Sequence, residues 1–190
     1  MKELEERIRQ DGKVFAGEVL KVDSFLNHQM DVKLFRAMAE EWRRLFPEEV
    51  TKILTIEASG IGLAAIAAEV FDVPVLFAKK SRTKNIAGSV YTSAVESYTH
   101  GGVYTILVSK EFLKPEDKVL LMDDFLANGN ALIGLMDLVK QAGATLVGAG
   151  IAVEKAYQPG GGRVRSQGVR VESLAKIASM SPEEGVTFCG

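Results

Sequence analysis

Apolar positions along this chain follow two alternating patterns. Short continuous apolar runs predict buried strands, and longer stretches with helical spacing lie between them. Strands that alternate with helices indicate a parallel sheet covered on both faces, so the predicted fold class is α/β. With no linker or repeat in its 190 residues, we expect one domain over residues 1–190. The predicted strands are 53–56, 74–78, 103–108, 119–122 and 146–153, and the predicted helices are 63–71 and 130–142, the latter closed by Gly143.

The first fifty residues follow a different order. Residues 2–10 are charged, with Leu4 and Ile8 one turn apart, which predicts an amphipathic helix. An apolar stretch at 14–22 precedes a polar, loop-like stretch at 23–29. Asp31 is a typical helix cap. The helix that it opens should end at Pro47 and has an apolar face formed by Leu34, Phe35, Met38, Trp42 and Phe46.

One region, residues 79–104, departs from this alternation. It opens with a basic run at 79–84 and continues with many Ser, Thr, Gly and Tyr residues, a pattern compatible with a hairpin that projects from the sheet. Long excursions in compact domains are often functional loops or lids. The basic run is either a solvated surface or a set of cations on a lid that closes over a polyphosphate and excludes water.

Composition excludes several classes of protein. A net charge of −2 gives no electrostatic reason to expect a nucleic-acid partner. The single cysteine, Cys189, cannot form an internal disulfide. The charged N-terminus MKELEERIRQ is not typical of a secretion signal, and no apolar run approaches the roughly 20 residues of a membrane-spanning helix. We therefore expect a cytoplasmic protein with no nucleic-acid or membrane partner.

The segment VLLMDDFLANGNA, residues 119–131, carries the clearest chemistry. Asp123 and Asp124 follow an apolar run, and ligands of parallel sheets bind beyond the carboxyl ends of the strands. Carboxylates accept bidentate hydrogen bonds from vicinal hydroxyls and also hold Mg²⁺. The small residues after them let backbone N–H groups converge on an anion at a helix N-terminus. The alternative is that two aspartates merely begin a turn.

A second segment of this kind is EASGIG, residues 57–62. It is either an ordinary turn between strand and helix or a second backbone cradle for an anion. Two cradles in one parallel-sheet domain indicate a ligand with two separate phosphate groups. No Walker lysine follows Gly129, so a nucleoside-triphosphatase loop is not expected.

These motifs together resemble those of the type I phosphoribosyltransferases. VLLMDDFLANGNA is similar to the family's motif for phosphoribosyl pyrophosphate (PRPP), and VLKVDSFLNHQMD, residues 19–31, is similar to a segment of its bacterial xanthine-specific, purine-salvage branch. The resemblance runs from the N-terminus to the region of Lys155 and beyond. It implies a mainly parallel twisted sheet flanked by helices, a flexible hood loop, and a small base-binding hood from the N-terminal segment, about residues 1–31.

The resemblance also implies roles for individual residues. Asp123 and Asp124 would contact the ribose hydroxyls, and Lys80 and Arg82 of the hood, with Lys79, would lie near pyrophosphate; we take the two aspartates, Lys80 and Arg82 as catalytic. The family's pyrophosphate loop often carries a cis peptide bond that does not involve proline. The predicted binding residues are Leu20, Asn27 and Lys155 for the base, Ala58, Ser59 and Gly60 for pyrophosphate, and Ala127, Asn128, Gly129, Asn130 and Ala131 for the 5′-phosphate. Many relatives have threonines in the last loop, where this chain has asparagines and alanine.

The implied reaction converts xanthine and PRPP to xanthosine 5′-monophosphate and pyrophosphate, with Mg²⁺ bound together with PRPP. Lys155 offers only donors, which suits a 6-oxo purine and not adenine. Asn27 can present its NH₂ to xanthine or its carbonyl to guanine, so both bases stay open, with xanthine preferred over guanine and hypoxanthine. The resemblance further implies a homodimer, with Tyr91, Tyr98 and Tyr104 as candidate contacts.

Other interpretations remain at this stage. The chain could be a hypoxanthine/guanine enzyme, or a non-catalytic PRPP-sensing purine regulator, although no helix-turn-helix is recognisable. The VDSFLNHQ segment argues against orotate and adenine enzymes. The sequence does not decide whether Mg²⁺ contacts protein or only PRPP, nor whether residues 160–163 form a plain turn or a basic lip of the purine pocket.

Overall fold

The computed structural model describes residues 1–80, 88–97 and 102–190. Its helices are α1 (Lys2–Asp11), α2 (Val32–Leu45), α3 (Ser59–Phe71), α4 (Asn130–Ala142) and α5 (Gly160–Arg165), and a π-helical turn covers Asp23–Asn27. Its strands are β1 (Lys13–Phe15), β2 (Val19–Lys21), β3 (Lys52–Ile56), β4 (Val75–Ala78), β5 (Val90–Ser97), β6 (Gly102–Ser109), β7 (Lys118–Leu126), β8 (Thr145–Lys155), β9 (Val171–Ser181) and β10 (Gly185–Phe188).

A six-stranded sheet in the order β10-β9-β8-β7-β3-β4 lies at the centre. Every neighbouring pair in it is parallel except β9 with β10. The predicted mainly parallel α/β sheet is therefore confirmed. The short strands β1 and β2 form an antiparallel hairpin outside this sheet, in the segment that we expected to supply a base-binding hood.

Two hydrophobic clusters cover the sheet. One contains α1, α2 and α3, with Trp42, Phe25 and Phe35 almost fully buried. The other contains α4 and the antiparallel hairpin β5–β6. Helix α2 begins as predicted, since Asp31 Oδ1 accepts hydrogen bonds from the backbone N–H groups of Lys33 and Leu34 at 3.2 and 3.1 Å. Within the described ranges, no helix is both long and apolar enough to cross a membrane.

Several boundaries differ from the predictions. Strand β7 continues through Leu126, so the acidic pair lies inside the strand and not after it. Helix α3 begins at Ser59, which turns most of the predicted small-residue turn into its first turn. The polar stretch 23–29 contains a π-helical turn where a loop was expected. Strands β9 and β10 and helix α5 were not predicted at all.

The hairpin β5–β6 does not simply project from the sheet. Val95 and Ile106 are buried, and they lie against Gly134 of α4, where a Cβ would meet Val95 Cγ2 closely and Ile106 Cδ1 at 3.1 Å. Tyr91 and Tyr104 also pack on the α4 cluster, so much of their ring surface is used within the chain. Residues 81–87 and 98–101 lie outside the described residues, and with them Arg82, Tyr98 and most of the predicted hood.

Candidate active site

The acidic pair is nearly buried near the C-terminal end of β7. Asp123 and Asp124 are each 7% exposed, and the Asp124 backbone N–H donates to Asp123 Oδ1 at 3.0 Å. Burial and then repulsion from Asp124 raise the pKa of Asp123 well above its usual range, although the positive charge of Lys80 acts in the opposite direction. Asp123 therefore holds a proton more readily than an ordinary aspartate does.

Asp124 joins two parts of the chain that are distant in sequence. Its Oδ2 accepts a hydrogen bond from Asn27 Nδ2 at 3.1 Å, and its Oδ1 accepts one from Ser59 Oγ at 3.0 Å. Asn27 belongs to the predicted base-binding segment, and Ser59 belongs to the predicted pyrophosphate loop. The structure thus brings three of the predicted groups of site residues to one carboxylate.

The predicted pyrophosphate loop has the backbone feature that the resemblance implies. The Glu57–Ala58 peptide bond is cis, and α3 begins at the next residue, Ser59. Glu57 fixes the loop to β4: its N–H donates to Ala78 O at 3.1 Å, and its Oε1 accepts from the Lys80 N–H at 2.5 Å. Sequence reasoning gave Glu57 no such role.

Gly60 lies where the loop meets β3 and the acidic pair. A Cβ at this position would collide with Thr55 Oγ1 and would lie 3.1 Å from Asp123 Oδ1. Thr55 is fully buried, and its hydroxyl has no hydrogen-bond partner among the described residues. The space beside Gly60 is thus filled by β3, and the sequence gave no sign of this contact.

Replacing Gly60 with alanine should displace the loop, because the added methyl group meets a buried side chain of β3 that cannot rotate into solvent. We expect the dissociation constant for pyrophosphate, measured by calorimetry, to rise about tenfold or more. The double variant Gly60→Ala/Thr55→Ala removes the clashing hydroxyl and should recover much of the affinity, with Thr55→Ala as the control. Equal affinities for wild type and Gly60→Ala would contradict this account of the loop.

The predicted 5′-phosphate loop leads into α4. Gly129 has φ 83° and precedes the first helical residue, Asn130. Asn128 Oδ1 accepts from the Asn130 N–H at 3.0 Å, and the Asn130 side chain donates to Glu96 O of β5 at 3.2 Å. Because the Asn130 amide is used within the protein, the donors left for an anion are mainly backbone N–H groups at the start of α4.

Lys155 ends β8, next to the strand that carries the acidic pair. Its Nζ donates to the backbone carbonyl of Glu18, in the turn of the β1–β2 hairpin, at 2.6 Å. Gln158 Nε2 binds the Glu18 carboxylate at 2.7 Å. Burial lowers the pKa of Lys155. Leu20, two residues beyond Glu18, is 8% exposed, so two of the predicted base contacts meet at this hairpin.

Lys80, in the described part of the hood, is the cation whose charge acts on Asp123. Lys80 Nζ lies 5.4 Å from the centre of the Tyr104 ring. Burial and then the charge of Asp123 raise the pKa of Tyr104. Lys79 is fixed by its backbone, which exchanges hydrogen bonds with Leu107 of β6. Arg82 lies outside the described residues, so its predicted role stays a prediction.

Residues 21–173 match the phosphoribosyl transferase domain. The chain belongs to the phosphoribosyl transferase family. Family members of similar length include the xanthine phosphoribosyltransferase of Lachnoclostridium phytofermentans, 56% identical over 100% of this chain and 99% of the relative. That of Bifidobacterium longum is 55% identical over 99% of each chain. The family predicted from the motifs is therefore confirmed.

Solved structures of the family share the fold. The adenine phosphoribosyltransferase of Rhodothermus marinus superposes with a TM-score of 0.76 at 22% identity and covers 93% of this chain and 100% of its own. The Saccharomyces cerevisiae enzyme, crystallised with an imino-altritol bisphosphate and adenine, gives a TM-score of 0.74 at 19% identity, over 92% and 99% of the two chains. At this identity the likeness establishes the type I phosphoribosyltransferase fold and leaves the choice of base to the site itself.

Proposed function

We propose that this protein is a purine-salvage xanthine phosphoribosyltransferase, which converts xanthine and PRPP to xanthosine 5′-monophosphate and pyrophosphate. The observation that carries the proposal is the pair of hydrogen bonds to Asp124 from Asn27 and from Ser59. They bring a base-binding amide and a pyrophosphate-binding loop to the carboxylate proposed to hold the ribose. The names of the relatives at 55–56% identity support the choice of base.

The proposed reaction is a displacement at the anomeric carbon of PRPP. Such displacements commonly pass through a state in which the sugar has oxocarbenium character, so no covalent nucleophile is required. Asp123 and Asp124 accept hydrogen bonds from the ribose hydroxyls, and negative charge on Asp124 stabilises the developing cation. The loop of Ala58, Ser59 and Gly60 holds the leaving pyrophosphate, with Lys80 and Arg82 supplying positive charge. The start of α4 holds the 5′-phosphate.

We propose that Mg²⁺ enters together with PRPP. The described residues contain no cluster of three or more His, Cys, Asp or Glu side chains that could hold a metal alone. The acidic pair still fits the ion, because Mg²⁺ is usually held by one or two carboxylates together with substrate phosphates. Asp123 and Asp124 are the residues that would contact it. When bound, the ion neutralises charge that develops on the leaving pyrophosphate.

Two side chains would select the base. Lys155 presents only donors and therefore suits a 6-oxo group. Asp124 accepts hydrogen bonds only, so the Asn27 side chain turns its NH₂ group, and not its carbonyl, toward the carboxylate, with 3.1 Å between Asn27 Nδ2 and Asp124 Oδ2. The second N–H of that group can serve the 2-oxo group of xanthine, whereas the 2-amino group of guanine would need the amide turned over. This arrangement favours xanthine over guanine.

We also propose that residues 1–190 form one catalytic domain and that the enzyme acts as a homodimer in the cytoplasm. The match of the relatives over nearly their whole length supports the first proposal. The homodimer rests on resemblance to the family, because Tyr91 and Tyr104 use much of their surface inside the chain.

Incubation with PRPP, Mg²⁺ and one base at a time tests the function, with pyrophosphate release as the measurement. We expect the highest kcat/KM with xanthine, lower values with guanine and hypoxanthine, and no turnover of adenine or orotate. If the protein binds PRPP but releases no pyrophosphate in the presence of any of the bases, it is a regulator instead. A higher kcat/KM with guanine or hypoxanthine than with xanthine would indicate a hypoxanthine/guanine phosphoribosyltransferase.

A further inference from the structure

The proposed mechanism gives helix α5 no role. Its sequence is GGGRVR, so residues 160–163 are helical where a plain turn was one of the two alternatives, and the helix packs on the loop that precedes α4. The Gly160 N–H donates to Ala127 O at 2.9 Å. A Cβ at Gly160 would collide with that carbonyl and would lie 2.7 Å from the Gly129 nitrogen. Only glycine allows this approach.

An ion pair between a buried carboxylate and a partly exposed arginine anchors α5 in this position. Glu154 of β8 is 3% exposed and receives two hydrogen bonds from Arg165, at 2.6 and 2.8 Å. Ser173 of β9 donates to the same carboxylate. A Cβ at Gly161 would collide with Glu154 Oε1, so this glycine lets the helix lie directly on the carboxylate. The position of α5 relative to the loop is thus fixed from both sides.

Arg163 extends from this anchored helix to the 5′-phosphate loop. Its Nη1 donates to the backbone carbonyl of Asn128 at 2.8 Å and to Asn130 Oδ1 at 2.7 Å. The side chain is exposed, and its Nε and Nη2 groups have no hydrogen-bond partner among the described residues. Residues 127–131 contain no cationic side chain. Arg163 is therefore a positive charge bonded directly to a loop that otherwise offers an anion only neutral donors.

We propose that Arg163 is the positioning residue of the 5′-phosphate subsite and supplies its positive charge. The guanidinium holds Asn128 and Asn130 in place, and its charge favours the phosphate dianion of PRPP and of the nucleotide product. The assignment of this loop to the 5′-phosphate rests on the proposed function.

Binding of two simple anions tests the proposal without turnover. Ribose 5-phosphate carries only the 5′-phosphate, and pyrophosphate represents only the leaving group. We expect Arg163→Gln to raise the Kd for ribose 5-phosphate, measured by calorimetry, about tenfold or more, because a charge-assisted contact is lost. The Kd for pyrophosphate should stay within about twofold of wild type. In steady-state assays with xanthine, KM for PRPP should rise while KM for xanthine stays nearly constant.

The Arg163→Lys variant distinguishes the effect of the positive charge on the Kd for ribose 5-phosphate from the effect of packing. It keeps the positive charge and should retain most of the affinity for ribose 5-phosphate that Arg163→Gln loses. Arg44→Gln is the matched control, because Arg44 is an exposed arginine of α2 whose bonded partner is Glu41. Equal losses in the Lys and Gln variants, or a matching loss of pyrophosphate affinity, would overturn the proposal. Tight binding of ribose 5-phosphate without turnover of any purine would count against the proposed function and leave the role of Arg163 intact.

Discussion

Replacing Asp124 with alanine is expected to lower kcat/KM for xanthine by about 10²–10⁴. In the proposed mechanism the Asp124 carboxylate accepts two charge-assisted hydrogen bonds from ribose hydroxyls, each worth about 1.5–3 kcal/mol. A loss of about 1.4 kcal/mol corresponds to a tenfold change in kcat/KM. The change also removes the acceptor that holds Asn27 and Ser59 at 3.1 and 3.0 Å. Pyrophosphate release at varied PRPP concentration measures the effect. The control is Asp11→Ala, because Asp11 is an exposed aspartate of α1 whose ion-pair partner among the described residues is Arg7.

The more conservative Asp124→Asn variant should also change the preference for the base. An asparagine can donate as well as accept, so it no longer obliges Asn27 to present its NH₂. We expect the ratio of kcat/KM for xanthine to kcat/KM for guanine to fall about tenfold, whatever the overall loss of rate. An unchanged ratio would show that Asp124 does not orient the Asn27 amide.

Removing the Lys155 amine should weaken binding of the base, because the 6-oxo group loses its proposed hydrogen-bond donor. In Lys155→Ala we expect kcat/KM for xanthine and hypoxanthine to fall by about tenfold or more, since a hydrogen bond from a charged group is worth about 1.5–3 kcal/mol. Lys140→Ala, on the exposed side of α4, is the control. Unchanged kinetics in Lys155→Ala would rule out the proposed contact with the base.

The pH dependence gives a second check on Lys155. Burial lowers the pKa of this amine, so the charged form, present below that pKa, is lost on raising the pH earlier than for an exposed lysine. An arginine stays charged throughout this range. The ratio of kcat/KM for wild type to that for Lys155→Arg should therefore fall as the medium becomes alkaline. Ionisation of the base itself affects both enzymes and cancels from the ratio.

The sequence was most informative where local signals coincide with the fold. Helix α4 has the predicted bounds because Gly129 and Gly143 adopt left-handed conformations at its two ends. Asp31 likewise marks the start of α2. Strand β9 escaped prediction because polar residues such as Ser173 and Lys176 interrupt its apolar pattern. One of them, Ser173, is there to bond a carboxylate of the neighbouring strand.

The least predictable features of the site depend on tertiary approach. The contact of Gly60 with Thr55 and the bonds from Arg163 to the 5′-phosphate loop join positions that carry no shared sequence signal. Three consecutive glycines at 160–162 are typical of a turn, and only the packing shows that two of them allow a helix to touch backbone and carboxylate. The motifs thus predicted the residues proposed to hold the sugar and the phosphates, while the residues that support them became visible only in three dimensions.

The bond between Lys155 and the Glu18 carbonyl holds the ammonium of the proposed base site in place before any base binds. The ammonium has three N–H donors, so a purine can accept from another of them while the bond to Glu18 remains. A 6-oxo purine brings an acceptor to this donor and gains a charge-assisted hydrogen bond. Adenine offers an amino group at that position, so two donors would face each other beside a half-buried ammonium. The hairpin thereby orients the lysine in advance, and little conformational freedom of its side chain has to be lost when the base arrives.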